Sequence, residues 1–403
     1  MIVVLSNPFQ RPPKRTMSID LESAIFENLR DDLDQPDRAV ERMVAYYRDQ
    51  RRPLELFEAL KMQTRHRLGL PLIAAEDEPR VADDVDRQIE TGLLDACREV
   101  GEMLISMGRV REGWMYLRPT GDVAHAATLV NDVEATDDNM DELIQVLFYE
   151  GVDVARGYQY LIDRNGTCNA ITAYEQQIAT RTKRDRIAAA TVLLVHFYDE
   201  LSAAVRGDIA RNEAPAAESE TLGQMLQKRS WLVTNGGYHL DTTHLSSVIR
   251  IARVIPSPEM LQKAFELTQY GRRLHQQFQY PGDAPFVDFY PAHAVYFGVL
   301  LGRDVDAGLE IFQRKATAAE IANVGTAPME VYVDLLDRSG KTREAIDAAI
   351  AMVPDSVATP RIVPLLVEMA DRCGYFGPVI EFCQQRGDVL GFTAACIAAR
   401  GTA

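Results

Sequence analysis

The 403-residue sequence predicts an all-α fold, an α-solenoid of stacked antiparallel helical hairpins, and three observations carry that prediction. Strand signals are almost absent, with no sustained period-two alternation and no Asn-Gly or Asp-Gly turn between β-branched segments. Helix signals run the length of the chain. Ser257-Pro258-Glu259 and Thr359-Pro360 place a hydroxyl at an N-cap before an N1 proline, and Thr326 with Pro328 nearly repeats the arrangement. In Leu143, Ile144, Val146, Leu147 and Phe148, and again in Val331, Val333, Leu335 and Leu336, apolar residues recur at helical spacing. The third observation is a recurring phrase: an apolar helix ending at a Gly, a short turn, then a small or apolar residue opening a second helix.

In chain order, the phrase is first approached without a turn Gly, where Tyr47-Arg48-Asp49-Gln50 runs into Leu54–Leu60. It then appears as Gly108…Gly113, Gly151…Gly157, Gly302…Gly308, Gly340…Ala345 and Gly374…Val379. Gly108 to Gly151 spans 43 residues, Gly302 to Gly340 spans 38, and Gly340 to Gly374 spans 34. A second phrase comes after it. Arg118-Pro119-Thr120-Gly121-Asp122-Val123 is matched by Arg386-Gly387-Asp388-Val389, and the Gly in each lies 13 residues after its turn Gly. Arg164-Asn165-Gly166-Thr167-Cys168 is a looser copy. A hairpin of two helices cannot bury its apolar face alone, so self-similarity at this spacing implies stacking of each unit on the next.

The unit Met329–Ile350 resembles the tetratricopeptide repeat (TPR). Val331, Leu335 and Leu336 lie on its first helix, the turn falls at Gly340, small Ala345 opens the second helix, and 34 residues separate Gly340 from Gly374. The Trp-Leu-Gly-Tyr phrase of the family's first helix is not met, and the closing proline comes early, at Pro354. The resemblance covers about five units over residues 100–400. It implies a TPR-like superhelix serving as a binding scaffold for a protein or peptide, and it implies no catalytic activity.

Residues 1–16 read as a disordered tail, and Met17 is an alternative start. Residues 17–212 form an N-terminal helical-repeat half, closed by an Ala-rich helix from Lys183 to Ala210. The polar stretch 213–220 reads as a linker, and 221–403 as a C-terminal half carrying a loop-containing aromatic segment at 261–300. Acidic segments at 75–86 and 131–141 read as solvated connections.

The formal charge of -16 argues against nucleic acid, whose backbone needs clustered Lys and Arg. Five dispersed cysteines, with no Cys-x-x-Cys pair, fit free thiols in a reducing compartment. The apolar start Met1–Leu5 is too short for a signal peptide. The longest apolar run, Ile187–Tyr198, is far short of the ~20 residues that span a bilayer. The expectation is a cytoplasmic protein without a membrane partner.

Leu261–Leu300 holds nine of the chain's 31 aromatic residues around the loop Tyr280–Pro285. From this segment Phe286, Phe289, Tyr290 and Tyr296 are expected as partner-binding anchors, with Asp288 and His293 as orienting polar groups, because bulky rings bury much area at small entropic cost. The alternative is that these rings fill the core where a long loop interrupts the array. A second candidate set is His239, Asp241, His244 and His293, which supplies imidazoles and a carboxylate of the kind that bind zinc. The His-x-Asp-x-x-His spacing matches no standard zinc helix, and Asp241 also suits an N-cap for a helix starting near Thr242. No nucleotide or other cofactor is expected. Gly340-Lys341-Thr342 lacks the upstream Gly of a phosphate-binding loop, and Gly-x-Ser-x-Gly, His-Glu-x-x-His and Gly-x-Gly-x-x-Gly are all missing.

Overall fold

A computed structural model describes residues 17–75, 80–233, 236–317, 321 and 323–401, giving the backbone alone for 17–23. The expected tail 1–16 lies outside the described residues. The protein is all-helical, and the described residues contain no strand. Contacts divide the chain into two compact units, one ending at Gly157 and the other beginning at Tyr158.

The first unit contains α1 (Met17–Asp31), α2 (Pro36–Asp49), α3 (Pro53–Arg67), α4 (Asp83–Ser106), α5 (Val110–Leu117), α6 (Val123–Asn131) and α7 (Met140–Ile144). The last of these runs on as a π-helical turn at Gln145–Tyr149. From α2 to α5 each helix packs on the next in sequence. Val44, Leu56, Leu60, Ala96, Val100 and Leu104 form a buried cluster where α2, α3 and α4 meet, with Phe57 and Tyr116 packed against it. Helices α4 and α5 approach closely. A Cβ at Gly113 would stand 2.5 Å from Ile105 Cγ1 and 2.8 Å from the Gly101 carbonyl oxygen. Only glycine fits there, which accounts for the small residue that opens the second helix of the recurring phrase.

The second unit contains most of α8 (Val154–Ala173), then α9 (Lys183–Asn212), α10 (Leu222–Lys228), α11 (Thr242–Ala252), α12 (Pro258–Gly271), α13 (Phe289–Leu300), α14 (Val305–Lys315), α15 (Ala327–Arg338), α16 (Thr342–Met352), α17 (Val363–Cys373), α18 (Gly377–Gln385) and α19 (Val389–Gly401). Gly166, with φ 78°, kinks α8. The 30-residue α9 is long and apolar enough, by length and composition, to cross a membrane. Its Leu193, Leu194, Phe197, Leu201, Val205 and Ile209 are buried, and α11 and α12 pack against it. From α11 through α18 each helix again packs on its successor.

The expected linker at 213–220 is not where the chain divides. It lies inside the second unit, where Arg206 donates to the carbonyl oxygens of Ala217, Glu218 and Glu220. Arg229 pairs with both Glu213 and Glu220. The segment is polar and mostly exposed, but its backbone is tied down by guanidinium donors.

The turn glycines share one geometry. After α4, the amide of Gly108 donates to Ile105 O and that of Arg109 to Leu104 O, at 2.8 and 3.0 Å. The same pair of bonds closes α13 at Gly302, α15 at Gly340 and α18 at Gly387. All four glycines have φ between 65° and 86°, so each caps the helix through a left-handed residue that side chains disfavour. The hairpin without a turn glycine closes identically after α2. Arg52 N donates to Tyr47 O at 3.0 Å, while Arg51 itself takes φ 51°. The second repeated phrase is also explained. Gly121 and Gly387 are left-handed, and the aspartate after each is an N-cap. Asp122 accepts from His125 N at 3.0 Å and Asp388 from Gly391 N at 2.9 Å.

Candidate functional site

The aromatic segment is assembled around α13. Proline at its third position is tolerated because the first helical turn leaves amide groups without intrahelical partners. Phe286, Tyr290, His293 and Tyr296 are all at most 3% exposed, Phe289 is half-buried and Asp288 is exposed. The Tyr290 ring lies directly over Gly271 of α12, whose Cβ would stand 2.2 Å from it. Tyr296 donates its hydroxyl to Asp334 Oδ2 at 2.8 Å and accepts from Arg338 Nη1 at 2.9 Å, so it joins α13 to α15. Arg338 also donates to the carbonyls of Arg253 and Ile255 that end α11. Phe286 stacks on His293 and meets Tyr296 and Phe312 at its edges. These rings are core. Three of the four expected anchors, Phe286, Tyr290 and Tyr296, and the orienting His293 present no surface to a partner, because they are packed among the neighbouring helices rather than turned outward.

The four candidate metal ligands do not converge, and no cluster of three or more His, Cys, Asp or Glu suited to a metal occurs among the described residues. His239 contacts the Tyr270 hydroxyl through Nδ1 at 3.0 Å and Asp208 Oδ2 through Nε2 at 3.3 Å. Asp241 caps α11, accepting from Thr243 N at 2.8 Å and His244 N at 3.3 Å. The Thr243 hydroxyl and these amides hold its carboxyl below the usual range. His293 donates Nδ1–H to Phe289 O at 2.8 Å, while Nε2 is buried without a hydrogen-bond partner. Burial among rings pushes its pKa down to about 3, and the nearby cations Arg253, Arg250 and Lys315 act in the same direction.

Two concave surfaces stand out among the described residues. One, about 400 Å³ in volume, lies beside Tyr198, Arg206, Glu220 and Lys263 in the second unit. Three of its five charged groups, Arg206, Glu220 and Lys263, are engaged with their own neighbours. Arg206 holds the 217–220 carbonyls, Glu220 pairs with Arg229 and Lys228, and Lys263 sits 4.3 Å above the Tyr198 ring. Behind it, the buried Glu266 carboxylate accepts from Tyr198 Oη at 2.6 Å, Gly223 N at 2.9 Å, Gln262 Nε2 at 2.8 Å and Thr221 Oγ1 at 3.1 Å. This network fastens α10 to α9 and α12, which makes it a structural joint.

The other, about 290 Å³, lies in the first unit and is lined by Arg111, Trp114, Met115, Arg118, Gln145, Val146 and Glu150. Helix α5 and the residue after it supply the first four, and the π turn after α7 with its C-cap supplies the last three. The π turn buries Val146, Leu147 and Phe148 in succession and leaves Tyr149 and Glu150 outside. Such insertions re-aim side chains and recur at functional sites. Glu150 Oε2 accepts from Trp114 Nε1 at 3.4 Å and pairs with Arg118 at 3.5 Å, which fixes the indole at the groove wall. Met115 is 67% exposed beside it. Trp114 and Met115 fall within the recurring phrase, but nothing in the sequence singles them out. Their partners stand some 30 residues away, and only the fold brings them together.

Compared with known proteins, the chain matches no family model and no curated protein sequence.

Proposed function

We propose that this protein is a non-enzymatic scaffold whose stacked hairpins form a TPR-like solenoid and bind a protein or peptide partner. One observation carries the reading: the Trp114–Val146 groove exposes a thioether beside an indole whose edge is already anchored. An apolar, concave, preformed surface of this kind suits the side chain of a partner. Support for the solenoid arrangement comes from the four identically closed glycine turns and from the packing of each helix on its successor from α2 to α5 in the first unit and from α11 to α19 in the second. The aromatic segment at 261–300 is not part of the proposed surface, since its rings are consumed by the core.

The test is affinity capture from native cell extract with wild type and Met115→Asp, both verified as folded by circular dichroism. A partner retained by wild type and lost in the variant supports the reading. Capture that is equal for both, or at background for both, overturns the assignment of this surface as the binding face.

A further inference from the structure

Resting on the scaffold reading, the geometry of the groove points to one class of partner: an extended peptide carrying an apolar side chain with Asp or Glu close behind it. The apolar side chain packs on the exposed Met115 at the edge of the Trp114 indole, and the carboxylate pairs with the Arg111 guanidinium.

The volume and the charge pattern each argue for this occupant. A cavity of about 150 Å³ encloses benzene, so a groove of about 290 Å³ holds one large apolar side chain together with its own backbone. The charges select the neighbour of that side chain. Two arginines line the groove against one carboxylate, in a chain whose formal charge is -16. Arg118 already shares Glu150 with the indole. Of the neighbouring carboxylates, Glu112 pairs with Arg109 and Glu142 accepts from the Arg111 backbone amide. The Arg111 side chain is exposed, lines the groove and has no hydrogen bond or ion pair to its guanidinium among the described residues. A guanidinium set at the mouth of an apolar groove in this way accepts a carboxylate in bidentate geometry, which an amide or a basic side chain does not supply.

The test is selection of a displayed random-peptide library on the full chain as wild type, Arg111→Glu and Met115→Asp. Both positions are exposed, and circular dichroism confirms that the variants keep the fold. Wild type is expected to enrich peptides with an aliphatic or aromatic residue and, within the next two positions, Asp or Glu. A synthesised peptide of that class should bind Arg111→Glu about tenfold or more weakly and lose measurable binding to Met115→Asp, while Arg111→Lys restores part of the affinity. Enrichment of basic or uncharged peptides, or of peptides indifferent to Arg111, overturns this inference and leaves the scaffold reading standing. Absence of enrichment on wild type overturns both.

Discussion

Phe286 stacks on His293, with ring centroids 4.1 Å apart and planes 20° from parallel, and both side chains are sealed from solvent. The stack makes the imidazole a core element held in its neutral form. His293 has its folded pKa pushed down to about 3, below its ordinary value of 6.5. The unfolded chain therefore binds the extra proton between those values and the folded chain does not. Stability from this group is complete above pH ~6.5 and declines as pH falls towards the folded pKa. The urea midpoint should drop on going from pH ~7 to pH ~4. His293→Phe, which keeps the stack and removes the titration, should show a visibly smaller drop. Equal pH dependence in the two proteins would mean that another group sets the acid response.

Arg51 occupies the left-handed position that glycine holds at the other hairpin turns. Replacing it with Gly removes backbone strain at a position whose hydrogen bonds are unchanged. Arg51→Gly should stabilise by about 0.5–1 kcal/mol, less whatever the exposed Arg51 Nη2–Ser106 Oγ bond of 2.7 Å contributes. Chemical denaturation of the purified chain measures the sign directly, and a loss of stability would contradict the strain argument.

Gly113 and Gly340 are both turn-phrase glycines, yet they should respond differently to Ala. At Gly113 a Cβ collides with Ile105 and with the backbone oxygen of Gly101, so α4 and α5 must separate, at a cost of about 2–3 kcal/mol. At Gly340, φ 86°, nothing lies within 4 Å of the added atom, and the cost is the conformational one of about 1 kcal/mol. Thermal or urea denaturation of the two variants separates crowding from strain. Equal losses would show that helix contact does not limit the first hairpin.

Glu266 lies in the second unit beneath four donors, one of them the backbone amide of Gly223 at the start of α10. Glu266→Gln turns one acceptor into a donor facing other donors, leaving a buried polar group unpaired. The expected loss is about 2–3 kcal/mol, with amide hydrogen exchange rising first in α10. A neutral substitution would mean that solvent reaches the joint.

The turn glycines are readable in the sequence because a left-handed φ leaves glycine as the favoured residue, and the aspartate caps because a short carboxylate satisfies the free amides of a helix start. Arg51 conceals an identical turn by adopting the same φ without being glycine. The aromatic segment is visible as a cluster, but composition does not say which side rings face, and the packing of Tyr290 on Gly271 decides it. Polarity alone marks 213–220 as a boundary. Its carbonyls are instead claimed by Arg206, a contact over about a dozen residues that local composition does not encode. The groove is the least legible feature, since apolar spacing marks 143–148 as helix without revealing the π turn that forms one of its walls.

The most direct test of the scaffold claim is photocrosslinking in the native cell. A photoreactive residue is placed at Met115 and, as a control, at the exposed Glu90 of α4. The expected result is a discrete adduct with a partner from position 115 that is weakened by Arg111→Glu and missing from position 90. Adducts of equal yield from both positions, or none from position 115, would contradict the claim.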